Sequence, residues 1–259
     1  MSQTAEPTGA IPESSWEKSV VVTGAAGAIG REIALAFARA GARVCVVDLA
    51  EEPLAELVGE LPGDGHGYLV QDLADIAGLD GLPERVRQRT GPSGTLVHAA
   101  AVLRRTGIFD VTEEEWDLQV NVNLKATFFL NMSLARHFRE HGGGSIVNFT
   151  SQGWWSGGFN GSVVYNTTKG GIVTMTKGLA RSLAPDAIRV NAVAPGFIDT
   201  PMLAGGLDDA ALAGLSGQVP MARLGQPSEL AGAVVYLASP AASYVTGTVL
   251  NVSGGLLMY

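Results

Sequence analysis

Residues 20–30 of the 259-residue chain read VVVTGAAGAIG. Three valines and a threonine favour a short buried strand, and the small residues after them let the backbone turn tightly into a helix. Such a turn places the first amide groups of the helix where they can bind a pyrophosphate. A turn that only packs the helix closely against the strand is the alternative. The stretch therefore predicts a strand, a turn and a helix, with an anion site at the turn.

The same alternation continues along the chain. β-Branched runs predict seven strands, at residues 20–23, 43–48, 68–70, 95–98, 145–150, 188–193 and 248–252. Helical periodicity predicts helices at residues 28–40, 53–60, 79–90, 113–140, 165–183 and 227–238. Strands connected through helices build a parallel sheet that is covered on both faces. We therefore expect an α/β, doubly wound Rossmann fold with a seven-stranded parallel sheet, whose ligands bind at the carboxyl ends of the strands.

The composition limits the partners and the compartment. Lys and Arg number 17 against 25 Asp and Glu, so a net charge of −8 disfavours nucleic acid and anionic membranes. Cys45 is the single cysteine, and the four histidines lack metal-ligand spacing, which indicates reducing cytoplasm and no metal. No apolar run is long enough to span a bilayer. We expect a flexible tail at residues 1–17, without signal-peptide character, and one domain over residues 18–259.

Acidic residues follow the next two predicted strands. Asp48 lies 18 residues after Gly30, where a carboxylate accepts hydrogen bonds from the adenosine ribose. Its charge would repel a 2′-phosphate, so it favours NAD(H); a loop cap is the alternative. Asp72 and Leu73 would frame the adenine, or would form a helix-capping pair.

A reactive set is indicated at Ser151, Tyr165 and Lys169. Tyr165 and Lys169 are four residues apart in a predicted helix and so share a face. A nearby ammonium lowers the pKa of a phenol, which suits proton exchange with an alcohol. Ser151 closes a predicted strand, where its hydroxyl could polarise a carbonyl, with Ser156 as a second candidate. A Tyr and Lys pair on the protein surface is the alternative.

Together these residues resemble the short-chain dehydrogenase/reductase family of the Tyr-x-x-x-Lys type, over nearly the whole chain. The matching positions are residues 23–30, Asp48, Asp72, Leu73, Asn123, Leu124, Ser151, Tyr165, Lys169, Asn191, Pro195, Gly196, Thr200 and residues 251–255. Residues 101–130 are similar to keto-sugar-acid dehydrogenases, and the end of the chain is similar to 3-oxoacyl reductases.

The resemblance implies hydride transfer between NAD(H) and a secondary alcohol or ketone, with Tyr165 as the acid/base. It implies that Lys169 lowers the pKa of Tyr165 and holds the nicotinamide ribose, that Ser151 orients the carbonyl, and that Asn123 anchors a water in a proton relay. The cofactor-binding residues it implies are Gly24, Ala28, Ile29, Gly30, Asp48, Asp72, Leu73, Ala99, Ala100, Tyr165, Lys169, Pro195, Gly196, Ile198 and Thr200.

The chain departs from the family pattern at two places. Ala28 replaces a glycine of the fingerprint, and residues 98–101 read HAAA where the family has Asn-Asn-Ala-Gly. His98 is either a structural histidine bonded to the backbone or a residue near the cofactor. The altered segment keeps open the alternative of a non-catalytic dinucleotide-binding protein.

Substrate recognition is indicated by aromatic and basic residues in the loops. Trp154 and Trp155 could wall a pocket, or pack under their loop or at a subunit contact. Arg104 and Arg105 could bind a carboxylate, or be solvated. We expect a small alcohol or ketone substrate of cyclic, sugar-like or carboxylated type.

The apolar content of two helices predicts self-association. Residues 113–140 and 165–183 carry apolar side chains on more than one face, including Phe128, Phe129, Leu130, Ile172, Val173 and Met175. One sheet cannot bury all of them, and residues 256–259 are also apolar. We expect a homotetramer, which the family resemblance also implies. The alternative is a monomer whose C-terminal residues fold over its own pocket.

Overall fold

The computed structural model describes residues 16–159, 161–205, 207 and 209–258. Seven strands in this part of the chain form one parallel sheet in the order β3-β2-β1-β4-β5-β6-β7. They are β1 (Ser19–Thr23), β2 (Val44–Asp48), β3 (Gly67–Val70), β4 (Ser93–His98), β5 (Gly144–Phe149), β6 (Ile188–Pro195) and β7 (Val249–Val252). The order reverses between β1 and β4, where a crevice opens at the carboxyl ends of the strands. The doubly wound fold expected from the sequence is confirmed.

Helices cover both faces of the sheet. They are α1 (Ala28–Arg39), α2 (Glu51–Glu60), α3 (Ile76–Leu79), α4 (Leu82–Thr90), α5 (Glu113–Val120), α6 (Ala126–Glu140), α7 (Gly153–Ser156), α8 (Val163–Leu183), α9 (Pro201–Ala204), α10 (Asp209–Gln218) and α11 (Pro227–Ala238). A π-helical turn, Asn121–Lys125, joins α5 to α6, and short 3-10 turns follow α8 and α11.

The pleat of β1 divides the core into two layers. Val20 and Val22 pack with α1, α2 and α11, while Val21 packs on the opposite face with α4, α6 and α8. Side chains such as Phe37 on one face and Phe138 on the other are fully buried. Burial of one such side chain contributes about 2–3 kcal/mol. The two layers therefore hold the strand ends, and the site built on them, in fixed positions.

Two helices expected as continuous are interrupted. The helix predicted at 113–140 contains the π-helical turn, and the helix predicted at 79–90 begins only at Leu82, because residue 79 ends the separate short helix α3. The Asp75 carboxylate caps α3 by accepting from the Gly78 amide, and Gly81 separates the two helices. Helices α9 and α10 were not predicted, because one is four residues long and the other has almost no amphipathic pattern. The connection between β6 and α11 therefore contains two helices rather than only irregular loop.

The two ends of the chain also differ from expectation. Trp16 is 8% exposed and packs edge-on against Phe37 at a ring distance of 5.0 Å, so the tail expected through residue 17 ends before Trp16. The rest of that tail lies outside the described residues. At the other end, Leu257 is buried in its own chain while Met258 is 77% exposed.

Across the described ranges, no helix has the length and apolar character needed to cross a membrane.

Candidate active site

A cavity of about 430 Å³ lies at the carboxyl ends of β1, β4, β5 and β6. Its lining includes the predicted residues Gly24, Ala28, Ile29, Gly30, Ala99, Ser151, Tyr165, Lys169, Pro195, Gly196, Ile198 and Thr200. It includes Gln152 and Phe159 from the loop after Ser151, whose aromatic side chains the sequence indicated for a pocket wall. It also includes residues that the sequence did not single out, among them Asn166, Phe197, Met202 and Leu203. The glycine turn and the proposed reactive set thus border one space.

The glycine turn between β1 and α1 depends on two residues. Gly24 has φ +70, and a Cβ there would lie 2.5 Å from the Ala100 amide nitrogen. A Cβ on Gly30 would lie 2.1 Å from the Gly24 carbonyl oxygen. Ala28 already begins α1, so the turn accommodates its methyl group. Because the first turn of α1 contains no acidic residue, its positive end favours an anion, and the turn fits a dinucleotide pyrophosphate.

Asp48 lies beside this turn at the end of β2. Its Oδ2 accepts from the Ala26 amide at 2.9 Å, and its Oδ1 accepts from the Leu49 amide at 2.7 Å. The carboxylate is thus a loop cap and is also held next to the turn. Carboxylate oxygens keep further acceptor capacity after two such bonds, which fits a ribose hydroxyl.

Asp72 and Leu73 are not part of the cavity lining. The exposed Asp72 carboxylate accepts from the Ala74 amide at 2.8 Å in the loop before α3, and the N-cap of α3 is Asp75 rather than Asp72. Leu73 is 7% exposed and packs in the core layer beneath α6. The expectation that this pair frames the adenine has no support in these contacts.

Tyr165 and Lys169 lie one turn apart near the start of α8 and face the cavity. Lys169 is 2% exposed, and its ammonium donates to the Phe149 carbonyl at 2.9 Å. The same nitrogen lies 5.3 Å from the centroid of the Tyr165 ring. Thr150 joins β5 to α8 because its hydroxyl donates to the Lys169 carbonyl at 2.8 Å. The end of β5 and the reactive turn of α8 are therefore held together.

Burial shifts the pKa values of both Tyr165 and Lys169. Burial raises the pKa of Tyr165 to about 12, and the positive charge of Arg105 opposes that rise. Burial also lowers the pKa of Lys169 to about 7. The Lys169 nitrogen donates to the Phe149 carbonyl, and the expectation that its charge lowers the Tyr165 pKa stays a prediction. With a pKa of about 12, Tyr165 is a protonated phenol at neutral pH, ready to donate.

Ser151 lies two residues after the end of β5. Its hydroxyl oxygen accepts from the Gly153 amide at 3.2 Å, which leaves its proton free to donate toward the cavity. Ser156, the second candidate, is exposed, does not line the cavity and donates to the Gln152 side chain. Of the two serines, only Ser151 lies where its hydroxyl could polarise a substrate carbonyl.

The loop after Ser151 is shaped by Asn166. A Cβ on Gly153 would lie 1.8 Å from Asn166 Oδ1, and one on Gly158 would lie 1.8 Å from Asn166 Nδ2. Asn166 is 7% exposed, and its amide also donates to the Ser162 carbonyl at 2.8 Å. The two glycines therefore allow the loop to close over α8. The two glycines, five residues apart, were the only sequence feature that could have predicted this contact with Asn166.

Asn123 lies in the π-helical turn and does not line the cavity. Its Oδ1 accepts from the Val102 amide at 2.8 Å, and its Nδ2 donates to the Val102 carbonyl at 2.8 Å and to Thr168 Oγ1 at 3.3 Å. π-Helical turns occur often at functional sites. The side chain is thus used to hold two segments, and its part in a water relay stays a prediction.

The predicted substrate residues are placed differently from expectation. Arg104 is exposed, whereas Arg105 lines the cavity and donates to the carbonyls of Met202, Leu203 and Gly205. Loop direction after β4 decides which of two adjacent arginines points inward, and sequence carries no signal for it.

The tryptophan pair also lies outside the cavity. Trp154 and Trp155 are on α7 with their rings 5.4 Å apart, and Trp155 is 61% exposed. The aromatic wall is formed instead by Phe159 and Phe197, whose rings meet edge-on at 5.3 Å. The expectation that Trp154 and Trp155 wall the pocket is therefore wrong for this conformation. In the described part of the chain, no three His, Cys, Asp or Glu residues group to hold a metal ion.

Comparisons with known proteins agree with this geometry. A family model described as enoyl-(acyl carrier protein) reductase matches residues 24–257. The chain is 38% identical over 244 residues to the 3-oxoacyl-(acyl-carrier-protein) reductase FabG of Thermotoga maritima, covering 93% of this chain and 98% of that protein. It is 33% identical over 248 residues to an uncharacterized short-chain type dehydrogenase/reductase, y4mP, of Sinorhizobium fredii, with coverage of 93% and 98%.

A solved structure gives a similar result. A variant of actinorhodin polyketide ketoreductase with NADPH has a TM-score of 0.88 and 33% sequence identity, covering 96% of this chain and 100% of that chain. These matches extend across the glycine turn and the turn of α8 that carries Tyr165 and Lys169.

Proposed function

Because the chain belongs to the short-chain dehydrogenase/reductase family, we propose that it is an NAD(H)-dependent oxidoreductase that interconverts a secondary alcohol and a ketone. The observation that carries this proposal is the meeting of Ser151, Tyr165 and Lys169 with the glycine turn at one cavity. A non-catalytic dinucleotide-binding protein would have no need of the three reactive side chains there.

The residues around the cavity divide the chemistry between them. When bound, the nicotinamide supplies a hydride to the carbonyl carbon or accepts one from the alcohol carbon. In reduction the Tyr165 hydroxyl donates its proton to the substrate oxygen, and in oxidation the deprotonated Tyr165 oxygen accepts the proton of the alcohol. The Ser151 hydroxyl donates a hydrogen bond to the same oxygen, where negative charge develops. The Lys169 nitrogen lies 5.3 Å from the centroid of the phenol ring, where it would hold the nicotinamide ribose.

NAD(H) is proposed over NADP(H) because of the carboxylate at the end of β2. Asp48 is fixed beside the glycine turn by the amides of Ala26 and Leu49. A 2′-phosphate on the adenosine ribose would bring a second negative charge to that place. The actinorhodin ketoreductase structure contains NADPH, so this choice separates the chain from that relative.

The substrate is proposed to be a small hydroxy or oxo acid. The cavity has an apolar wall in Phe159 and Phe197, and Arg105 is the guanidinium group that borders it. Burial lowers the pKa of Arg105 while the group remains charged at neutral pH, so it is a partly desolvated cation. A carboxylate can replace the carbonyls that it now contacts, with two parallel hydrogen bonds.

A panel of alcohols, polyols and oxo acids, followed by NADH absorbance, tests this function. We expect Arg105→Met to lower kcat/KM for an oxo acid about 10-fold more than for its methyl ester, because a charge-assisted bond contributes about 1.5 kcal/mol or more. The matched control is Arg104→Met, whose exposed side chain should leave both values near wild type. Turnover of no panel member, in a protein that binds NADH, would favour the non-catalytic alternative. An equal loss for acid and ester would exclude carboxylate recognition by Arg105.

Assembly into a homotetramer is also proposed. Of the apolar side chains counted in the sequence, Leu130, Ile172 and Val173 are buried within the chain, so they are not available for an interface. The apolar side chains left exposed on α5, α6 and α8 are Trp116, Leu118, Phe128, Phe129 and Val163, each between 38% and 48% exposed. A second copy would cover them in a two-fold contact of four helices.

Light scattering after size exclusion measures this assembly. A 26.8 kDa chain should elute at about four times its mass at micromolar concentration. Phe128→Glu, which places a charge in the contact, should reduce the mass by half or more, while Tyr244→Glu serves as the control, because Tyr244 is fully exposed and lies outside these three helices. A monomeric mass for the unmodified chain would disprove the interface.

A further inference from the structure

His98 ends β4 and is buried between two threonine hydroxyl groups. Its side chain is 2% exposed, with Nδ1 2.7 Å from Thr23 Oγ1 and Nε2 2.9 Å from Thr127 Oγ1. Both threonines are fully buried. The expected backbone partners are therefore replaced by side chains, one at the end of β1 and one on α6. Thr23 is the residue immediately before the glycine turn.

The direction of each hydrogen bond can be determined from neighbouring groups that can only donate or can only accept a hydrogen bond. The Asn123 carbonyl can only accept, so Thr127 Oγ1 donates to it, at 2.5 Å. The oxygen of Thr127 must then accept from a proton on His98 Nε2, and His98 Nδ1 must accept from the Thr23 hydroxyl. One neutral tautomer of His98, protonated at Nε2, satisfies the hydrogen bonds of His98, Thr23 and Thr127. Burial and the charge of Lys169 lower the pKa of His98 to about 3, in agreement with a neutral ring.

The chain of bonds continues beyond Asn123 to the reactive turn of α8. The orientation of the Asn123 amide is fixed, because the Val102 amide can only donate and its carbonyl can only accept. The Asn123 amide nitrogen also donates to Thr168 Oγ1, and Thr168 in turn donates to the Tyr165 carbonyl at 2.6 Å. A buried set of polar groups thus connects the strand before the glycine turn to the backbone of Tyr165.

We infer that His98 is a positioning residue, which holds the Asn123 turn through Thr127 and so fixes the placement of Tyr165 in the cavity. This role rests on the proposed function of Tyr165. His98 itself does not line the cavity, so its effect is on geometry rather than on proton transfer. A displacement of about 1 Å at a reacting group costs up to 100-fold in rate, which makes such a buried support consequential.

A neighbouring buried network provides the comparison. Asn148, which pairs with His98 in the sheet register, bonds to Asn131 at 3.1 Å and to Thr176 at 3.3 Å. All three are fully buried, and none lines the cavity. A substitution in this second network removes a similar hydrogen bond without affecting the Asn123 turn. Thr176 is therefore a matched control for Thr127.

The tautomer can be measured without any substrate. Long-range ¹H–¹⁵N spectra of the full chain should show one histidine that stays neutral with its proton on Nε2 from pH 5 to 8, and that signal should be absent in His98→Asn. A His98 signal that is protonated at Nδ1, or that titrates within this range, would overturn the assigned direction of the bonds.

The positioning role is tested with Thr127→Val, which keeps the side-chain shape and removes the hydroxyl. We expect kcat to fall about 10-fold with KM for NADH changed less than two-fold, and we expect Thr127→Ser to recover most of the loss. Thr176→Val should lower Tm by a comparable amount and leave kcat unchanged. Equal kcat for the two valine variants would show that the His98 network affects only stability, and would refute the inference.

A substrate-free readout separates this inference from the proposed function. In protein labelled with [¹³Cζ]tyrosine, the Tyr165 resonance, assigned by its loss in Tyr165→Phe, should shift in Thr127→Val and not in Thr176→Val. If the substrate panel fails but this shift occurs, the network positions Tyr165 and the assigned reaction is wrong. If turnover is found but neither kcat nor the resonance changes in Thr127→Val, the reaction stands and the positioning role is wrong.

Discussion

Replacing Tyr165 with phenylalanine is expected to lower kcat about 1000-fold, because general acid–base catalysis contributes on the order of 100- to 10,000-fold. Only the hydroxyl is removed, so the ring still packs beside Lys169 and the NADH dissociation constant should change less than about three-fold. Steady-state kinetics on a substrate from the panel and fluorescence titration of NADH measure the two effects.

The control for this variant is Tyr236→Phe on α11, where the hydroxyl group is distant from the cavity lining and the side chain is 40% exposed. It should retain full activity. A Tyr165→Phe protein with kcat near wild type would show that another group handles the proton.

The second large effect concerns cofactor choice. The unmodified chain is expected to bind NADH on the order of 100-fold tighter than NADPH, because placing like charges next to each other costs several kcal/mol. Asp48→Asn removes the charge and keeps one acceptor for the turn amides, so the preference should fall to within about 10-fold. Separate titrations with NADH and NADPH measure both ratios.

Asp72→Asn is the matched control for Asp48→Asn. Asp72 follows the next strand and also accepts from a loop amide, that of Ala74, but unlike Asp48 it makes no bond to the glycine turn. It should leave the NADH preference unchanged. Equal or tighter binding of NADPH by the unmodified chain would mean that Asp48 does not select the cofactor.

Local patterns in the sequence predicted the elements that hold the reactive groups. Four-residue spacing placed Tyr165 and Lys169 on one face of a helix, and the valine runs placed Ser151 and the glycine turn at strand ends. These relations depend on a helical or extended period over a few residues, which the side chains themselves favour. No local pattern predicted the π-helical turn at Asn123. The Asn123 side chain bonds to Val102 and Thr168, which are distant along the chain.

Loop residues show the limit of the same reasoning. Arg104 and Arg105 are adjacent and chemically identical, so only the path of the backbone after β4 decides which one reaches the cavity. Trp154 and Trp155 looked like a pocket wall, but Asn166 and two glycines fold their loop so that Phe159 lines the cavity instead. Local sequence could not distinguish these arrangements, because the contacts that decide them are distant along the chain.

The sequence by itself determined the parallel α/β fold, the place of the glycine turn and the helix face shared by Tyr165 and Lys169, because each follows from short-range spacing and alternating burial. Tertiary structure alone decided the charges around Tyr165 and the partners of His98. Those properties depend on desolvation and on side chains 29 to 75 residues away, such as Thr127 and Thr23. A pKa or a tautomer is set by the whole surroundings of a group, and those surroundings exist only after the sheet and its helices have packed.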